Sequence, residues 1–326
     1  MIIGKKLKNH QLISFVGCLM LAAPLLAADF IAPTPWSTIA SSDLARLMPD
    51  DEVKPLLAGE TEFTTLYRQH MSAQQRGVVL IIPDWQHLPT NNDGVNFLRT
   101  ELNDLGYATI AMTVPDIDWY ANDSTVNDST VNDSAINETE TTTPDPQENT
   151  EAPTNTPTND ALEQASAPMA SPKHVDAIPM ISNAIIDNYK LNLISRFNAL
   201  YESALNEDGK IVVVAQGASA GVLLEHYASF PSTNIDAFIS LSSYLPNTER
   251  NKKLNATIST ISPPLLDVYY SVDNSNLLLS IAQRKRWVKR HSKYDYRQRE
   301  LFGLRSAPEQ HERLTKEVDG FLRRLF

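Results

Sequence analysis

The sequence predicts an α/β protein built on a doubly wound, mostly parallel sheet. Three observations carry this. Short apolar runs alternate with longer segments whose apolar residues recur at helical spacing. The runs are continuously apolar, as parallel strands covered on both faces must be. Residues 210–227, KIVVVAQGASAGVLLEHY, place a turn of small residues between an apolar strand and an apolar-faced helix.

Each element follows from its own pattern. Residues 77–83, GVVLIIP, form a buried strand. Residues 95–105 form a helix with Phe97, Leu98, Leu102 and Leu105 on one face, closed by Gly106. A strand over 107–114 ends at Pro115, and a long amphipathic helix spans 178–205. The strand from 211 feeds a helix reaching about 229. Strands follow over 236–241 and 264–272, then a helix over 276–290 and a strand over 294–301. A last helix spans 307–325, and Ser306 with Glu309 is expected to form its capping box, with Pro308 near its start.

The strand–turn–helix at 210–227 has the form of a nucleophile elbow, in which a catalytic side chain stands above the sheet. Two registers are open. In one the strand ends at Ala215 and Gly217 takes the apex. In the other the turn is Gly217-Ala218-Ser219-Ala220-Gly221, a literal G-x-S-x-G with Ser219 at the apex. They differ by two residues, which is also the side-chain period of a strand, so parity does not separate them. Strand length favours the first, and glycine adopts the strained backbone of an elbow at no steric cost. Ser219 is then a small packing residue.

The N-terminus reads as an export signal over residues 1–28. Lys5, Lys6 and Lys8 precede an apolar run, and Ala27 and Ala28 offer a cleavage site. The run is too short for a stable transmembrane anchor. The single cysteine, Cys18, lies within the run. Lipidation there is the lesser reading, because Phe15 suits a lipidation box poorly and the apolar run continues past the cysteine. Cleavage leaves a periplasmic or secreted chain without disulfides or cysteine-rich zinc sites. No cofactor and no metal are expected.

The formal charge is −11. Much of it falls between Ala121 and His174, with ten acidic residues against one lysine. Pentapeptide repeats begin at Asn122, Asn127 and Asn132, followed by Thr, Pro, Asn and Glu. Such a segment cannot bury enough apolar surface to offset its ordering entropy and reads as a disordered spacer. Glycosylation at its Asn-x-Ser/Thr sequons and calcium binding are the lesser readings. The organisation is therefore a signal over 1–28, half of a domain over 29–118, a low-complexity insert over 119–174, and the second half over 175–326.

On these residues the chain resembles an exported proteobacterial family of uncharacterised α/β-hydrolase-like proteins. The markers are Asp43-Leu-Ala-Arg-Leu-Met, Gly77-Val-Val-Leu-Ile-Ile-Pro-Asp, Leu102-Asn-Asp-Leu-Gly-Tyr-Ala-Thr, Pro264-Leu-Leu-Asp-Val-Tyr, Tyr296-Arg-Gln-Arg and Val318-Asp-Gly-Phe-Leu-Arg-Arg. The resemblance covers the chain outside the signal and the insert. It implies the α/β-hydrolase fold and supplies no reaction.

That fold sets a test. Hydrolysis needs Ser, then Asp or Glu, then His in chain order, with an oxyanion hole. Asp273, after the strand at 264–272, stands at the acid position, although Asp273-Asn274 is equally a turn and helix start. The histidine belongs after the last strand, and 302–306 holds none. His311, one helical turn on, reads as solvent-facing, His226 as facing out or packing, and His87 as a pocket neighbour. The backbone donors at the elbow helix remain available to a carboxylate or other anion.

A basic run completes the inventory: Arg284, Lys285, Arg286, Lys289, Arg290, Lys293, Arg297 and Arg299, with Trp287 among them. It reads as a solvated helix face, or as a surface that docks on anionic envelope polymer or lipid through Arg286 and Lys289. Nucleic acid is not an expected partner. The expectation is a protein with a degenerate triad that binds an unknown small molecule or envelope component. The alternative is a serine hydrolase of carboxylic-ester type using Ser219, Asp273 and His311.

Overall fold

The computed structural model describes residues 33–119, 181–231 and 234–326. The signal read at 1–28 lies outside them, as does the expected insert beyond Trp119. Eight strands form one sheet in the order β1-β2-β4-β3-β5-β6-β7-β8. β1 (Val53–Ala58) and β2 (Thr61–Arg68) form an antiparallel hairpin, and β2 also runs antiparallel to β4 (Tyr107–Met112). From β4 through β3 (Gly77–Ile82), β5 (Lys210–Gln216), β6 (Ala237–Leu241), β7 (Leu265–Tyr270) and β8 (Tyr296–Leu301), every pairing is parallel.

Burial explains why the central strands were readable. Every residue of β3, β4, β6 and β7 is buried, because helices cover both faces. On one face lie α3 (Asn183–Ala204), α4 (Gly217–Ser229), α5 (Thr248–Thr257) and α6 (Ser275–Arg290). On the other lie α1 (Trp36–Leu47), α2 (Val95–Asp104) and α7 (Pro308–Leu325). Alternate residues of β3 divide between the two cores: Val78, Leu80 and Ile82 pack under α3 and α4, while Val79 and Ile81 pack under α2 and α7.

Four elements had no clear signal. β1 contains Pro55, and half of its residues are exposed, which an edge strand tolerates. β2 pairs with it across a tight turn. α1 buries only Ala40 and Leu44. α5, TERNKKLNAT, is mostly polar and buries Leu254 with two asparagines; Asn247 caps it by accepting from the Arg250 N–H at 3.1 Å. The capping box expected at Ser306 and Glu309 is absent: the N-cap of α7 is Ala307, without a side-chain bond.

The chain leaves β3 toward β4 on one side, and β5 pairs with β3 on the other. The sheet therefore reverses its winding between β3 and β5. A crevice opens outside the carboxyl ends of strands at such a point, and Asp84 and Gly217 lie there. Among the described residues no helix is long and apolar enough to cross a membrane.

Candidate functional site

β5 runs through Gln216, and Gly217 follows with φ +56°, so the elbow turns on the glycine. A left-handed backbone there is strained for any residue with a β-carbon. Space also matters. A β-carbon on Gly217 would lie 2.0 Å from both the carboxyl carbon and Oδ2 of Asp84. Asp84 immediately follows Pro83 beyond β3, and its carboxylate fills the volume a nucleophile would need.

That carboxylate is also hydrogen-bonded in place. One oxygen, Oδ1, accepts from the Trp85 N–H at 2.8 Å and the Ala218 N–H at 2.7 Å. The residue after the elbow apex and the loop after β3 are the two sources of oxyanion-hole donors in this fold. Both donors are engaged by the chain's own side chain, so they are not open to an external anion as the sequence suggested. Burial pushes the Asp84 carboxyl up from 3.8 to about 6, against the lowering effects of the Ala218 N–H, His87, the Trp85 N–H and Arg305.

The acid and base positions carry an ion pair. The Asp273 side chain is fully buried, and its carboxylate accepts from Ser242 Oγ at 2.5 Å, the Tyr270 N–H at 3.1 Å and the Asn274 N–H at 2.8 Å. Its fourth partner is the Arg305 guanidinium. Arg305 belongs to the loop after β8, where the sequence reading looked for a histidine. Burial pulls the guanidinium down, but Asp273, with Asp84 and Asp93 further off, raises it overall. A cation that stays protonated cannot serve as a general base.

The remaining expected residues are dispersed. Ser219 lies in the first turn of α4, fully buried, with its hydroxyl 2.7 Å from Tyr189 Oη. His311 is buried rather than solvent-facing. Its Nε2 lies 2.8 Å from the Arg305 carbonyl, which only accepts, so the ring donates there. The ring also packs on Phe97 at 5.5 Å. Tyr189 belongs to the α3–α4 core, whereas Phe97 and the α7 residues around His311 lie on the opposite face, so Ser219 and His311 are not brought together. His87 sits near Asp84 with Nδ1 2.9 Å from Asn91 Nδ2 and 3.7 Å from Asp93. His226 is half-buried on α4, where burial and Lys190 hold its imidazole down.

Sequence reasoning missed Asp84 and Arg305. Each had a signal. Asp84 closes the marker Gly77-Val-Val-Leu-Ile-Ile-Pro-Asp at the loop that supplies oxyanion donors. Arg305 is the charged residue in the loop that was searched for histidine. Two polar atoms near Asp93 lack a partner: Gln216 Oε1 and Tyr270 Oη. Among the described residues no group of three or more His, Cys, Asp or Glu is placed to hold a metal ion.

The basic run is only partly a surface. Arg284 is fully buried and pairs with Asp267 at 3.0 Å. Lys293 donates to the Ile261 and Pro263 carbonyls, and Arg297 and Arg299 pair with Glu317. Lys285, Arg286, Lys289 and Arg290 remain exposed.

Strand order, elbow and loop placement define the α/β-hydrolase fold. Solved structures with this architecture include Est1E from Butyrivibrio proteoclasticus, at 10% identity and TM-score 0.50, covering 84% of this chain and 98% of that one. A soluble variant of monoglyceride lipase from Saccharomyces cerevisiae aligns at 9% identity and TM-score 0.50, covering 84% and 95%. At this identity the likeness concerns fold alone. Within that fold the chain belongs to the family described as "Protein of unknown function (DUF3530)", which matches residues 25–324. No curated protein is matched by the chain.

Proposed function

We propose that this chain is a non-hydrolytic member of the α/β-hydrolase fold that acts by binding in the cell envelope. The carrying observation is Asp84, whose carboxylate fills the nucleophile's volume above Gly217 and takes the N–H groups of both Trp85 and Ala218. Two further features support the reading. Asp273 is neutralised by Arg305 instead of orienting an imidazole. The rival nucleophile Ser219 is sealed against Tyr189, and the Nε2 proton of His311 is committed to a backbone carbonyl. A serine hydroxyl without a base in reach stays protonated and weakly nucleophilic. The signal-like residues 1–28 support an exported site of action.

The test is a fluorophosphonate probe with hydrolysis of p-nitrophenyl acetate beside it. The expected result is no covalent adduct and hydrolysis at the rate of buffer. Labelling that disappears in Ser219→Ala would overturn the proposal in favour of a serine esterase using Ser219, Asp273 and His311.

A further inference from the structure

The outward arc of α6 is free of acidic residues. The whole helix, Ser275–Arg290, contains no Asp or Glu. Leu277, Ser280, Ile281 and Arg284 turn inward. At 100° per residue, Leu279, Gln283, Arg286 and Arg290 then share one outward stripe, with Leu278, Lys285 and Lys289 beside it. Lys285, Arg286 and Lys289 have no carboxylate partner among the described residues. Arg290 lies over the Trp287 ring at 5.2 Å. Gln283, Arg286, Trp287 and Arg290 line an open groove of about 240 Å³. On a chain with formal charge −11, this is a segregated cationic face.

Exposed apolar side chains lie toward the start of α6 and in the loops after β7 and β8. Leu279 is 79% exposed at the N-terminal end of α6. Val272, Phe302 and Leu304, in the loops after β7 and β8, are also exposed. These loops are held together: the Ser271 N–H donates to the Leu301 carbonyl at 2.8 Å, and the Gly303 N–H to Ser271 Oγ at 3.0 Å. Apolar side chains at one end and unpaired cations along the rest describe a helix suited to lie flat at a headgroup boundary.

We infer that the outward face of α6, with the loops after β7 and β8, docks on a membrane surface rich in anionic phospholipid. Lys285, Arg286, Lys289 and Arg290 meet the phosphates, and Leu279 and Phe302 enter the boundary with the acyl chains. Charge complementarity selects the occupant: an uncharged apolar partner leaves the cations unmatched, and a free anion leaves the apolar side chains in water. This inference rests on residues outside the cleft, so it stands or falls separately from the absence of hydrolysis.

The test is flotation of the purified chain with vesicles of phosphatidylcholine, with and without an equal part of phosphatidylglycerol. The chain is expected to float only with the anionic vesicles and to be released by about 0.5 M salt. Arg286→Glu with Lys289→Glu should weaken partitioning by about tenfold or more. Leu279→Ser with Phe302→Ser should weaken it by roughly threefold to tenfold with every cation kept. Lys316→Glu, an exposed reversal on α7, should leave it unchanged. All these positions are on the surface, so thermal unfolding is expected to match the parent. Failure of the parent chain to float, equal flotation of the charge-reversed variant, or a dimer that the Leu279→Ser and Phe302→Ser variant disperses would each overturn the inference.

Discussion

Among the described residues, two arginine–aspartate pairs bury the aspartate side chain completely, and they differ in what surrounds them. Arg284 and Asp267 are both fully buried between α6 and β7. Arg284 also donates to Ser243 and Asn255, while Asp267 accepts from Ser240, Tyr296 and Gln298. Arg305 and Asp273 sit at the crevice, where the carboxylate is fully buried but the guanidinium keeps 19% of its surface. The first pair fixes a helix to a sheet. The second stands where the acid and base of a hydrolase would stand, with a further carboxylate, Asp84, in the arginine's field. The same two side chains thus brace the fold in one place and stand at the acid and base positions of the hydrolase fold in the other. Loop placement and residual water access make the difference.

The contrast is broken most sharply at Arg284. Replacing it with Met strands Asp267 without its cation, and a loss of about 3–5 kcal/mol in urea unfolding is expected. Adding Asp267→Asn should recover part of it. A smaller effect, of opposite sign, belongs to Asp84→Asn. The amide oxygen still accepts both N–H groups, and the buried charge is removed. With a carboxyl raised from 3.8 to about 6, the folded chain holds more protons here than the unfolded chain between those values. Stability therefore falls as pH rises through that window. Asp84→Asn should be more stable than the parent by roughly 3 kcal/mol above pH 6, with the gap closing below about pH 4. The smallest change is expected for Arg305→Met. Asp273 keeps three donors and water can enter, so a loss of about 1–2 kcal/mol is anticipated. Carboxyl NMR should show Asp84 titrating still higher, because Arg305 lowers it.

Legibility in the sequence followed the same division. The parallel strands were readable because burial on both faces makes them continuously apolar. The hairpin β1–β2 and helix α5 were not, since an edge strand with Pro55 and a polar helix bury few apolar side chains. Arg284 was taken for part of a charged face because its neighbours are charged. Its phase told otherwise: it stands seven residues after Leu277 and three after Ile281, on the helix's buried side. At the crevice the elbow was visible as a strand–turn–helix. Asp84 and Arg305 beside it were not, because the pattern asks for serine and histidine and is blind to a carboxylate or guanidinium at those positions. The one-residue shift of the α7 cap, from Ser306 to Ala307, likewise depends on loop geometry that composition does not carry.

The close approach of Asp84 to Gly217 also bears on any attempt to install a nucleophile there. A serine codon at 217 would set its first side-chain carbon 2.0 Å from the carboxyl group already there. Shortening residue 84 alone would open the space yet provide nothing to attack an ester. An imidazole would still be needed where Arg305 now stands. No single substitution at 217, 84 or 305 supplies a hydroxyl, the space for it and an imidazole together.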